Sequence, residues 1–267
     1  MRRPPLSCLE SGPRDAPPVL LVHGFPLDGR MWGTVARLLA QRWRTLVPDL
    51  RGFGTSPPGP ERWALEDCAG DLEELLQSCG AVPCAAVGFS MGGYAVLALA
   101  ERAPAAICGV ALVDSRAEAD GEQARRDRTA AAARVGSEGT AWLVEEMLPR
   151  LLDPANLEGN PRLSDEVRRL MAVQPAASVR AAILAMRDRP SRVSAVERLD
   201  GPFQVMAGSA DVLTPPDEGR ALAARAPQGE FHEIQGAGHL APLERPGDVA
   251  AHLEAFLSRV FGRGPKA

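Results

Sequence analysis

Short apolar runs alternate with segments of helical periodicity along most of the chain. The runs lie at residues 19–22, 45–47, 85–87, 110–113 and 203–207, and each is soon followed by glycine, proline or aspartate. Apolar runs without polar alternation are typical of strands that are buried on both faces. Because helical segments separate them, the pattern predicts an α/β fold with a mostly parallel, doubly wound sheet.

Two of the helical segments carry a clear apolar stripe at steps of three or four residues, which predicts helices that pack on the sheet. The first stripe consists of Leu65, Cys68, Leu72, Leu75, Leu76 and Cys79, with Glu66, Asp71, Glu73 and Glu74 on the opposite face. The second consists of Val249, Leu253, Phe256, Leu257 and Val260. Trp63 and Ala64 precede the first stripe, so that helix lacks the usual Ser or Thr N-cap.

Residues 116–198 interrupt the alternation of strands and helices. This stretch contains no strand-like run, and its helical patterns are separated by prolines. We therefore predict a helical cap over residues 116–198, inserted between two strands of a core formed by residues 1–115 and 199–267.

Composition and charge exclude several classes of protein. The 267 residues are 45% hydrophobic and 24% charged, which is an ordinary globular mix. A net charge of −4 provides no basic field for nucleic acid or anionic lipid, and no run of apolar residues is long enough to span a membrane. Arg2 and Arg3 are followed by prolines rather than by an apolar segment, and the five cysteines lack CxxC spacing. We therefore expect a cytoplasmic protein with reduced thiols.

The motif Gly88-Phe89-Ser90-Met91-Gly92 has the form G-x-S-x-G and stands between an apolar run and a helical pattern. A strand that turns sharply into a helix holds the central serine in a strained conformation and exposes its hydroxyl. This context indicates that Ser90 is a nucleophile. The alternative is a glycine-rich turn with a serine that has no chemical role.

A serine nucleophile needs a general base, and the chain has four histidines. His239 follows the predicted strand at residues 231–234 in a glycine-containing loop, which suits a base. His252 lies in the last helix and His232 in a strand, so both are expected to be structural. His23 is expected to hydrogen-bond within its own loop.

The base in turn needs a carboxylate that orients its ring. Asp211 follows the run at residues 203–207, and the order Ser90, Asp211, His239 is the order that a nucleophile elbow of this kind requires. Asp114, which also ends a strand, is the competing candidate.

The tetrahedral intermediate of acyl transfer needs two N–H donors. The amide of Met91 directly follows the nucleophile. The second donor should come from the loop after the first long strand, where Phe25 is the best candidate because Pro26 has no N–H.

Five segments in this order resemble the α/β-hydrolase fold superfamily over residues 15–261. They are His23-Gly24, residues 49–56, the Ser90 elbow, residues 208–211 and residues 236–239. The chain is most similar to the esterase and lactonase branch that includes 3-oxoadipate enol-lactonases and cofactor-free haloperoxidase-like esterases. The resemblance implies a serine hydrolase with a small ester or lactone substrate. The family usually begins with a two-strand hairpin, whereas residues 6–10 offer one strand here.

The residue types exclude several reactions that enzymes of this fold catalyse. Dehalogenases and epoxide hydrolases of this fold place Asp at the position of Ser90. Metal-ligand, Walker and dinucleotide motifs are absent from the sequence, so neither a metal nor another cofactor is expected. Hydrolysis of C–C bonds, peracid formation and ligand binding without turnover remain alternatives.

The cap sequence contains candidates for an apolar acyl pocket. Trp142, with Met147 or Met186, is predicted to line it. The alternative is that these side chains pack the cap helices on the core.

Overall fold

A computed structural model describes residues 5–262. Residues 1–4, which include Arg2 and Arg3, and residues 263–267 lie outside the described residues. The described residues form seven strands. They are β1 (Cys8–Ser11), β2 (Pro18–Val22), β3 (Arg44–Pro48), β4 (Cys84–Phe89), β5 (Ile107–Val113), β6 (Phe203–Gly208) and β7 (Gly229–Ile234).

The strands form one mostly parallel sheet in the order β1-β3-β2-β4-β5-β6-β7, in which only β1 pairs antiparallel. Each of the five apolar runs lies in one of its strands, so the predicted doubly wound sheet is confirmed. Within the described residues, one strand precedes β2, and it overlaps the strand expected at residues 6–10.

Both faces of the central strands are buried, which explains their uninterrupted apolar sequences. In β2, Leu20 and Val22 contact one core cluster, while Val19 and Leu21 contact the other. Because successive side chains of a strand point to opposite faces, each strand contributes to both clusters.

Helices cover the two faces of the sheet. The described helices are α1 (Gly33–Leu39), α2 (Leu65–Ser78), α3 (Met91–Arg102), α4 (Glu122–Glu138), α5 (Ala141–Leu151), α6 (Pro154–Gly159), α7 (Pro161–Ala172), α8 (Ala176–Asp188), α9 (Val193–Glu197), α10 (Pro216–Ala223), α11 (Ala241–Glu244) and α12 (Pro246–Phe261). The apolar side chains of α2, α3 and α10 belong to one cluster, and those of α1 and α12 belong to the other.

Helix α2 has Ala64 at its N-cap without a capping side chain, as the sequence predicts, and departs from the sequence interpretation at Asp71. Asp67, in its first turn, accepts a hydrogen bond from the Ala64 N–H at 2.9 Å and so satisfies a backbone donor where Ala64 has no capping side chain. Asp71, assigned to the face opposite the apolar stripe, is instead buried against Arg51, with 2.7 Å between the guanidinium Nε and the carboxylate. Because this partner lies on a distant loop, helical periodicity did not reveal the burial.

Helices α4–α9, here called the inserted helices, lie between β5 and β6. Side chains of α4 and α8, with Leu143 of α5, join the cluster of α2 and α3, while the other buried side chains of α5 and those of α7 join the cluster of α1 and α12. The insertion therefore packs on both core clusters at the edge where the parallel strands end. None of the helices in residues 5–262 is long and apolar enough to cross a membrane.

Candidate active site

Ser90 lies at the junction where β4 ends and α3 begins. Its backbone has φ 49° and ψ −116°, and its N–H donates to the Val113 carbonyl at 2.9 Å. Among the described residues other than glycine, only Ser90 and Asp114 have positive φ. Such a conformation is costly and persists where the surrounding structure enforces it. The geometry therefore matches the strained elbow that the sequence motif predicts.

Glycines enforce this elbow because neighbouring backbone occupies the space of a side chain. A Cβ at Gly92 would lie 2.3 Å from the Val22 carbonyl oxygen. A Cβ at Gly88 would lie 2.5 Å from the Gly92 carbonyl oxygen. The elbow thus passes directly over the end of β2, and only glycine permits that approach.

Three predicted site residues form a continuous hydrogen-bonded chain. His239 Nε2 lies 2.9 Å from Ser90 Oγ, and His239 Nδ1 lies 2.9 Å from Asp211 Oδ2. Asp211 and His239 are buried, with 3% and 4% of their surface exposed, while Ser90 is half-buried. A hydroxyl, an imidazole and a carboxylate in this order can activate the hydroxyl by transferring its proton to the ring.

The carboxylate of Asp211 is held by its own loop. Its Oδ1 accepts from the N–H groups of Leu213 and Thr214 at 2.8 and 3.1 Å, and its Oδ2 accepts from the Thr214 hydroxyl. Burial raises the pKa of Asp211, but the His239 ring and the Thr214 hydrogen bonds outweigh burial and hold the pKa below its usual value. Thr214 was missed in the sequence, although Asp-x-x-Thr is a spacing at which side chains hydrogen-bond nearby backbone.

Asp114 occupies a different environment from Asp211. It ends β5, is fully buried, and accepts a hydrogen bond from the Gly208 N–H at 2.8 Å. Burial and the negative charge of Asp211 raise the pKa of Asp114 well above the ordinary value. Of these two carboxyl groups, the one within hydrogen-bond distance of His239 is that of Asp211.

We expect Asp114→Asn to stabilise the protein increasingly as the pH rises from acid to neutral. A carboxyl whose pKa is raised on folding binds its proton more tightly in the folded state. The free energy of unfolding of the wild type therefore falls by about 1.4 kcal/mol per pH unit as the pH rises from the unfolded-state pKa to the folded-state pKa. Asn is neutral, tolerates positive φ and keeps the acceptor for Gly208. The melting temperatures of both proteins across this pH range test the expectation. A difference that is independent of pH would contradict it.

The loop after β2 packs directly against the elbow. A Cβ at Gly24 would lie 2.5 Å from the Phe89 ring and 3.0 Å from the Phe89 carbonyl oxygen. Phe25 is the next residue in the chain, and its side chain is buried. Met91 is the first residue of α3, and the first N–H groups of a helix have no acceptor within the helix. Both predicted oxyanion donors thus belong to segments that meet beside Ser90.

His23 stabilises the loop after β2 and does not belong to the hydrogen-bonded chain of Ser90, His239 and Asp211. Its Nε2 accepts from the Leu50 N–H at 2.9 Å, so the proton lies on Nδ1, which donates to the Gly24 carbonyl at 3.0 Å. Burial lowers the pKa of His23, which keeps the ring neutral. The histidine joins the loop of Phe25 to the segment that follows β3.

The other two histidines lie away from Ser90. His232 on β7 and His252 on α12 stack with ring centroids 4.3 Å apart. Burial, aided by the neighbouring His232 ring, lowers the pKa of His252.

The predicted pocket residues lie on the inserted helices. The Arg134 guanidinium stacks over the Trp142 ring at 4.0 Å, and Met147 is half-buried against both core clusters. Met186 is buried, with its sulfur 3.6 Å from Arg128. These contacts are of the kind expected for packing, and a role in substrate binding stays a prediction. Residues 5–262 contain no group of three or more His, Cys, Asp or Glu side chains arranged to hold a metal ion.

Comparison with known proteins identifies the family. The model of the α/β hydrolase fold family matches residues 17–246. A solved structure of a thermophilic esterase from Thermogutta terrifontis is 37% identical, with a TM-score of 0.92 over 96% of this chain and 93% of that chain.

Two other relatives agree with this match. The pimeloyl-[acyl-carrier protein] methyl ester esterase of Chromobacterium violaceum is 30% identical over 253 residues, which are 89% of this chain and 94% of that protein. The enol-lactonase of Burkholderia xenovorans LB400 shares the fold at 24% identity, with a TM-score of 0.86 over 95% of this chain and 96% of that chain. With its seven-stranded sheet and serine elbow, the chain belongs to the α/β hydrolase fold family.

Proposed function

We propose that the protein hydrolyses a small carboxylic ester or lactone through an acyl-enzyme on Ser90. The observation that carries this proposal is the hydrogen-bonded chain from Ser90 through His239 to Asp211 at a strained elbow. Ser90 Oγ attacks the carbonyl carbon while His239 Nε2 takes its proton. His239 then protonates the leaving alcohol and activates the water that releases the acid.

The roles of the other groups follow from charge development in this reaction. Asp211 holds the proton on His239 Nδ1 and stabilises the ring when it becomes charged. The amides of Phe25 and Met91 donate to the oxyanion, and the positive end of α3 adds to that stabilisation. The packing of Gly24 against Phe89 supports this assignment because it keeps the two donor segments together.

The substrate class rests on the relatives and on the inserted helices. Relatives named as esterases match this chain over most of its length. We propose that residues 116–198 form a cap over Ser90, and that Trp142 with Met147 or Met186 gives the acyl pocket an apolar lining. A cap of this kind excludes water and selects substrates by shape.

A series of p-nitrophenyl esters from acetate to laurate tests the proposal. We expect many turnovers per enzyme molecule, with the highest kcat/KM for the short acyl chains. Hydrolysis of a simple lactone, followed by acid release, establishes whether cyclic esters are also accepted. A single burst equal to the enzyme concentration, or rates no higher than those in buffer, would rule out ester hydrolysis as the function.

A further inference from the structure

We propose that Glu244 is a positioning residue that ties the loop of His239 to the inserted helices. The inference rests on the proposed function, since it assigns Glu244 a role in orienting the general base. Glu244 is half-buried at the end of α11, and its hydrogen bonds go to Gly238, Asp153 and Asn156.

The two carboxylate oxygens of Glu244 bind opposite sides of a junction. Oε1 accepts from the N–H of Gly238, the residue directly before His239, at 2.7 Å. Oε2 accepts from the Asp153 N–H and from the Asn156 side-chain amide, both at 2.8 Å. Asp153 and Asn156 stand at the start of α6, so one side chain spans the histidine loop and the inserted helices.

Backbone contacts on both sides of His239 reinforce this junction. The N–H of Leu240 donates to the Leu151 carbonyl at 3.1 Å, and the Asn156 amide also donates to the Gly236 carbonyl at 3.0 Å. A Cβ at Gly238 would lie 2.6 Å from the Asp153 nitrogen. The loop that carries His239 therefore lies directly on the segment between α5 and α6.

An ionised carboxylate is the group that fits this junction. Burial raises the pKa of Glu244, while hydrogen bonds from Asn156, Asp153 and Gly238 oppose that rise because they stabilise the charged form. The three neighbours are all donors, and a carboxylate is the side chain that only accepts. In a glutamine, one oxygen becomes an NH₂ group that must face another N–H.

Loosening this junction affects catalysis because His239 must satisfy two distances at once. Its ring lies 2.9 Å from both Ser90 and Asp211. A misplacement of about 1 Å in a catalytic group can cost about 100-fold in rate. Since Glu244 does not orient the substrate in this scheme, the loss should fall on kcat and leave KM nearly unchanged.

The test compares Glu244→Gln with Glu233→Gln, a matched change at an exposed glutamate that pairs with Arg220 on the surface. Kinetics on p-nitrophenyl acetate are measured well below the melting temperature of every variant. We expect kcat to fall about 100-fold in Glu244→Gln with little change in KM, and to stay at the wild-type value in Glu233→Gln. Asn156→Ala, which removes one donor, should produce a smaller loss in the same direction.

Proton NMR of the His239 Nδ1–H supplies a second readout that needs no turnover. We expect Glu244→Gln to shift or broaden this low-field resonance, whereas Glu233→Gln leaves it in place. A Glu244→Gln protein that melts earlier but keeps wild-type kcat and the same resonance would overturn the proposal. If the wild type hydrolyses no ester but the resonance still shifts, the positioning role stands and the proposed function fails.

Discussion

Replacement of Ser90 by alanine is expected to lower kcat for ester hydrolysis by about 10⁶-fold, the loss seen when the serine of a catalytic triad is removed. In the proposed reaction the Ser90 hydroxyl bonds to the acyl carbon. Within residues 5–262, Ser90 carries the hydroxyl that lies within hydrogen-bond distance of His239 Nε2. Binding and oxyanion stabilisation survive in the variant, so KM should change far less than kcat.

The melting temperature of Ser90→Ala shows whether a loss of activity comes from a loss of folding. Serine and alanine are both strained at φ 49°, so the change should remove the hydroxyl with little effect on folding. Ser137→Ala, on the exposed surface of α4, is a matched substitution that should keep full activity. Equal turnover by Ser90→Ala and wild type, with both proteins folded, would show that another residue is the nucleophile.

The strands could be predicted because burial on both faces leaves a local signature. In β4 and β5, alternate side chains enter different core clusters, so nearly every position must be apolar and a short run suffices to identify the strand. The buried ion pair of Asp71 with Arg51 had no such signature. Its partner is remote in sequence, and an acid on a helix is usually solvated.

The three residues of the hydrogen-bonded chain were likewise predictable from local sequence, whereas the contacts of Glu244 were not. Ser90, Asp211 and His239 each follow a strand in a short glycine-containing segment, which a sequence displays directly. Two of the partners of Glu244, Asp153 and Asn156, are brought near only by the packing of the inserted helices.

Asp211→Asn is expected to lower kcat by about 10⁴-fold, as loss of the orienting carboxylate does in a catalytic triad. The N–H groups of Leu213 and Thr214 both donate to Oδ1, so the asparagine carbonyl should take that place and turn its NH₂ toward His239 Nδ1. The ring must then accept at Nδ1 and carry its proton on Nε2. In that tautomer it cannot take the proton of Ser90.

Asp114→Asn is the matched control, because it makes the same change in the other buried carboxyl that ends a strand. Asp114 accepts from Gly208 and its raised pKa already favours the neutral form, so an uncharged amide should preserve kcat to within a few-fold. The measurement is kcat on p-nitrophenyl acetate for the two variants, with melting temperatures to show that both are folded. Were Asp114→Asn to lose about 10⁴-fold while Asp211→Asn stayed active, the orienting acid would be Asp114, and the His239 ring would have to turn away from Asp211 during the reaction.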